Sequence, residues 1–333
     1  MDGVATVGRG PRARGPRRRG TTGALLAALT AGILLAGCTV GGPNDNGRGS
    51  DEGRRDDRIS APPAGSLLAV KIDNVRAARP QTGLDAADIV YAEQVEGGLS
   101  RLMAVYATKF PETVGPVRSA RESDLELLRQ FDEPTLAFSG AQGKLLPLID
   151  MAPLHAKTPE DAGDAFFRGD EKPAPHNLYL RPEKLIDSPP GTDALTTGFH
   201  FGPAPDGGTP ETSRTVRYPA ARFTFTWSDD RQRWLVSMDG TPTITTDDVR
   251  VAPATVVVQY VTIRESRFRD YLGNNTPYTE TVGSGRAEVL RDGRAFEANW
   301  DRRTPTDGTA FTAPDGRQMN FAEGQVWVVY AKA

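Results

Sequence analysis

The chain predicts an α+β protein, with an N-terminal mixed α/β domain followed by a smaller antiparallel β-rich domain. Three observations lead there. Residues 67–187 interleave apolar runs of strand length with a stretch of helical period, and residues 188–213 are rich in Pro and Gly. From residue 214 onward, β-branched and aromatic residues recur between turn signals.

Residues 1–37 read as an export leader: six arginines between Arg9 and Arg19, an apolar run from Ala24 to Ala36, and small residues at its end. That run is shorter than the about 20 apolar residues a membrane-spanning helix needs. The string Leu35-Ala36-Gly37-Cys38 resembles the lipobox of bacterial lipoproteins. The resemblance implies a diacylglycerol thioether on Cys38 and an anchor of several acyl chains, palmitate among them, at the extracytoplasmic face of the cell membrane. One short chain alone would hold only marginally. Arg17-Arg18-Arg19 raises twin-arginine export, but Gly20-Thr21-Thr22 continues that motif poorly, so the export route stays open.

The whole chain has a formal net charge of −3, and the leader holds six Arg against one Asp, so the remainder stands at about −8. Such a balance gives no support for a nucleic-acid partner or for a polybasic attachment to anionic lipid. Cys38 is the only cysteine, so once it is lipidated there is no disulfide and no cysteine metal or redox site. Residues 38–66 hold Ile59 as almost their only large apolar side chain and read as a disordered tether.

Within residues 67–187, Leu67 to Asp73 is a short apolar run, and Ile89, Tyr91, Glu93 and Val95 share one face of a second strand. Glu96-Gly97-Gly98-Leu99-Ser100 reads as the turn of a hairpin into Leu102 to Ala107. Glu122 to Phe131 has helical spacing, with a capping box of Ser119 at the N-cap and Glu122 at N3. Thr135 to Ser139 is a further strand, and Lys144 to Ile149 a short helix ended before Pro153. Residues 188–213 form the linker. Residues 214–333 predict hairpins around Ser228-Asp229-Asp230, Asp292-Gly293 and Pro314-Asp315-Gly316, curled into a small sandwich or open barrel. Trp227, Trp234, Trp300 and Trp327 are expected in its core, with an aromatic ligand platform as the sharper alternative.

Ala69 to Arg101, then Gly115-Pro116-Val117-Arg118-Ser119-Ala120-Arg121 and Pro175-His176-Asn177-Leu178-Tyr179, resemble the DUF3048 family, the group of YerB-like bacterial lipoproteins. Gly283 to Trp300 and Gly324-Gln325-Val326-Trp327 resemble that family's smaller C-terminal domain. The resemblance implies a two-domain envelope lipoprotein and carries over no catalytic residue, because the family's function is unknown.

Read for chemistry, the turn Gly115 to Arg121 offers amide donors and two guanidinium groups suited to phosphate or carboxylate. Arg79 and Arg101 are expected to join Arg118, Ser119 and Arg121 there. The plainer alternative is that these groups are satisfied by helix capping and by pairing with Glu122 or Asp124. Asp73, Asp88, Glu93, Glu96 and His176 are the acid/base candidates, each weighed against a structural ion pair or turn. The three histidines lack zinc spacing, and no nucleophile elbow, Walker loop or dinucleotide fingerprint occurs, so neither metal nor cofactor is expected. The leading expectation is a non-enzymatic binding or scaffold protein for an envelope partner or an anionic cell-wall component. The alternative is a hydrolase or transferase of cell-wall glycopolymers with Glu93 or Glu96 as base.

Overall fold

A computed structural model describes residues 65–270 and 273–333. Cys38, the leader and the tether up to residue 64 lie outside them. Ser66 is already part of the body, buried, with its hydroxyl donating to the Glu133 carbonyl.

Among the described residues, seven strands and two α-helices precede residue 188: β1 (Leu68–Asp73), β2 (Ile89–Gln94), β3 (Ser100–Tyr106), α1 (Glu122–Leu128), β4 (Thr135–Ala137), α2 (Leu146–Asp150), β5 (His155–Lys157), β6 (Phe166–Arg168) and β7 (Leu178–Leu180). Strands β1 to β5 lie in one eleven-stranded sheet, in the order β2-β3-β1-β4-β5, which continues beyond β2 through Val326–Lys332, Thr255–Val261, Gly283–Arg291, Arg294–Arg302 and Ala310–Thr312. Strand β2 pairs parallel with Val326–Lys332, which pairs parallel with Thr255–Val261.

This corrects the α+β expectation. The described residues are mostly β, at 42% strand against 10% helix, and their two α-helices have seven and five residues. Helix α1 stops at Leu128, short of Phe131, and the loops after β1 and β2 close with 3₁₀ turns rather than helices. Nor do residues 214–333 form one self-contained sandwich or barrel, because five of their strands join the eleven-stranded sheet. Thr255–Val261 and Val326–Lys332 are apolar on both faces, so each needs cover on both sides, which a central place in a shared sheet supplies. Phe223, Phe225 and Trp227 alternate with threonine instead, and that segment builds a separate four-stranded sheet with one wetter face, ordered Ser213–Arg217, Arg222–Ser228, Arg233–Met238 and Thr241–Pro242.

Two cores result. Leu68, Val70, Ile72, Leu102 and Trp327 on one face of the large sheet pack with Phe223, Phe225 and Trp234 of the smaller sheet. Ala69, Tyr91, Met103 and Val105 on the other face meet Leu127 and Leu128 of α1. Trp234, Trp300 and Trp327 are fully or almost fully buried and Trp227 packs against Trp234, so the tryptophans serve the core. Each such side chain contributes roughly 2 to 3 kcal/mol by its removal from water. The Tyr218 hydroxyl, directed at the Ala92 and Tyr330 carbonyl oxygens, pins the smaller sheet across two strands of the larger. Residues 188–213 run along the body, with Gly191 N–H donating to the Ala107 carbonyl at 2.8 Å.

Candidate functional site

On the α1 face, the ends of β1, β2 and β3 carry charge instead of hydrocarbon. Register places Arg101 of β3 directly opposite Asp73 of β1 on one side and Glu93 of β2 on the other. Directly opposed residues share a face, so the three side chains emerge together. Lys71, two residues before Asp73, also points to this face and is fully buried.

Two segments close over this end. Residues 114–118 run beside β1, with Asp73 N–H donating to Pro116 O and Arg118 N–H to Lys71 O. Strand β7 runs along their other side, with Val117 N–H donating to Leu178 O. The strings around Asp73, Arg118 and His176, far apart in sequence, thereby meet. Asp73 is 1% exposed, and its Oδ2 lies 2.8 Å from His176 Nδ1 and 3.2 Å from Arg118 Nε. His176 and Arg118 keep 20% and 25% of their side-chain surface in solvent.

The other candidates fall into defined pairs. Glu96 is held bidentately by Arg121, with Nε to Oε1 and Nη2 to Oε2 both at 2.7 Å, and Thr276 donates to the same carboxylate. Burial would raise the Glu96 pKa, but Arg121 and Thr276 overcome it and hold the carboxyl at about 2. Glu93 accepts from Ser123 at 3.0 Å and pairs with Lys71, which also bonds Asp124 at 2.7 Å. Burial pulls Lys71 down to about 8 against the charge of Asp124, which favours keeping its proton. Glu93 is 3% exposed and committed to this buried triad, away from solvent. Asp88 accepts from the Ala107 and Thr108 amides.

Arg101 differs from its neighbours. Its guanidinium donates to the Ser119 carbonyl at 3.1 Å, and among the described residues no carboxylate lies within ion-pair distance of it. Burial, together with repulsion from Arg121 and Arg118, lowers its pKa to about 9 despite Glu96 and Asp73. The Ser119 carbonyl also accepts from Arg121, while the Ser119 hydroxyl lies 3.4 Å from that of Ser139. Arg79 turns away, to Asp239 Oδ2 at 2.8 Å and the Asn74 carbonyl at 2.7 Å.

The helix entry shifts by two residues from its expected place. Arg121 takes the N-cap, and Asp124 accepts its backbone N–H at 2.7 Å, so Asp124 rather than Glu122 occupies N3. Lys71 and Asp124 were not among the expected site residues. A lone lysine within the apolar run Leu67 to Ile72 is the signal that points to a buried partner of opposite charge.

A large mixed sheet backed by a smaller one, with an ion-paired polar cluster at one end, defines a class of mostly β proteins. The chain belongs to the DUF3048 family: the model for its N-terminal domain, a protein of unknown function, matches residues 57–194, and that for its C-terminal domain matches residues 214–328. A relative in Bacillus subtilis (strain 168), named "Putative lipoprotein YerB", is 27% identical over 277 residues, covering 78% of this chain and 80% of that protein. The crystal structure of YerB protein from Bacillus subtilis superposes with a TM-score of 0.67 at 21% identity, over 84% of this chain and 94% of that one, and shares its fold. Among the described residues no helix is long and apolar enough to cross a membrane.

Proposed function

We propose that this protein is a lipid-anchored binding protein of the cell envelope, held at the extracytoplasmic face of the membrane through Cys38, that takes an anionic group of a cell-wall component at the Asp73 cluster. One observation carries the reading: a buried carboxylate holds Arg118 and His176 with a single oxygen while both stay partly in solvent, and the Arg101 guanidinium beside it contacts no carboxylate among the described residues. These side chains are oriented by buried contacts and retain capacity for a ligand oxygen. The lipobox-like leader and the name of the Bacillus relative support the anchor.

The test is cosedimentation of the full-length protein with purified Bacillus subtilis cell walls. The Arg101→Ala and Arg118→Ala variants are expected to sediment several-fold less than the parent, and equal sedimentation would remove the site. A second reading is favoured by the His176 Nδ1 to Asp73 contact, the arrangement that orients an imidazole as a base. As a hydrolase or transferase of wall glycopolymers, the protein would release soluble sugar from those walls, and His176→Ala would abolish the release.

A further inference from the structure

A groove of about 540 Å³ lies between the end of β1 and the smaller sheet. Four arginines line it: Arg76 and Arg79 from the loop after β1, and Arg217 and Arg222 from the hairpin that joins the first two strands of the smaller sheet. Asp239 is the carboxylate among the lining residues, and it is spent on Arg79. Arg76, Arg217 and Arg222 are exposed, and none is in an ion pair among the described residues.

The pairing of the hairpin sharpens the point. Arg217 and Arg222 are direct cross-strand partners at the closing end of the hairpin. Like charges directly opposite one another destabilise a sheet, so this arrangement costs stability unless an anion lies between them. The hairpin is also held stiffly. Ala220 N–H donates to Gly98 O, and Tyr218 is buried with its hydroxyl on the large sheet. The arginines are therefore carried on a scaffold ordered before any ligand arrives, which reduces the entropy lost on binding. Leu99, an exposed apolar side chain, lines the same groove and offers a contact for ligand carbon.

We infer that the groove between Arg76 and the Arg217–Arg222 hairpin is a binding site for a phosphate-bearing ligand. Guanidinium forks match phosphate oxygens two at a time, and three unpaired forks in one groove exceed what a single carboxylate would engage. A phosphate-bearing polymer and a phospholipid head group share this chemistry. The groove is distinct from the Asp73 cluster and goes beyond the function proposed for it.

The experiment is calorimetric titration of the full-length protein, purified in non-ionic detergent, with inorganic tripolyphosphate, with dihexanoylphosphatidylglycerol and with polygalacturonate. Dihexanoylphosphatidylcholine serves as the lipid control. Tripolyphosphate is expected to bind, more weakly as salt rises, and Arg217→Ala/Arg222→Ala to reduce its affinity by at least about tenfold. Arg303→Ala, in an exposed arginine elsewhere, should leave it unchanged. Binding of phosphatidylglycerol alone, with the same sensitivity to the double variant, assigns the site to a lipid head group. The inference is overturned if neither phosphate compound binds, if polygalacturonate binds as tightly, or if the double variant binds like the parent. Loss of tripolyphosphate binding in Arg118→Ala alone would transfer the phosphate to the Asp73 cluster and likewise end the inference.

Discussion

Lys71 shows how one residue can be legible in a sequence while its consequence is not. A lysine inside Leu67 to Ile72 announces a buried charge, but the carboxylates that neutralise it come from β2 and α1, 22 and 53 residues further on. The apolar strand face that makes Glu93 a candidate base also places it against Lys71. Removing one member of a fully buried ionic triad leaves the others unpaired, a larger effect than the modest net contribution of the intact group. Lys71→Met is therefore expected to destabilise the protein by about 3 to 5 kcal/mol, read from the midpoint of urea unfolding at neutral pH. Replacing Lys71, Glu93 and Asp124 together by apolar residues of similar volume should recover much of that loss.

At the scale of elements, strand positions were readable and their partners were not. The hairpin at Glu96 to Ser100 formed as its glycines suggested, because Gly97 and Gly98 both adopt left-handed backbone, with φ of 66° and 72°. What no local pattern reveals is that Gly98 also sits under the hairpin of the smaller sheet: a Cβ there would approach Pro219 to 2.5 Å. Gly98→Ala combines the cost of a positive φ with that collision and should lower stability by roughly 1 to 3 kcal/mol, whereas Gly97→Ala, with no neighbouring atom within 4 Å, should lose only the backbone term. Comparing the two thermal midpoints checks this. The helix cap lies two residues beyond its expected place for a related reason. Ser119 and Glu122 fit the spacing of a capping box, but β3 and β1 engage Ser119 and its neighbours first, so helical backbone begins only after Arg121.

At the scale of the molecule, the α+β expectation rested on treating residues 67–187 and 214–333 as separately cored. Continuous valine runs were the contrary signal, since Thr255–Val261 and Val326–Lys332 have no face to give to water. Their place in the large sheet is set by contacts with β2 across more than two hundred residues, beyond the reach of any periodicity. A chain ending at residue 324 would lack the strand between β2 and Thr255–Val261, and it is expected to show no cooperative unfolding transition by circular dichroism. Because that central strand follows β2 by more than two hundred residues, the sheet cannot close until Val326–Lys332 has been made and brought back to β2. A chain emerging N-terminus first therefore holds β2 without its second neighbour until Val326–Lys332 has followed it out.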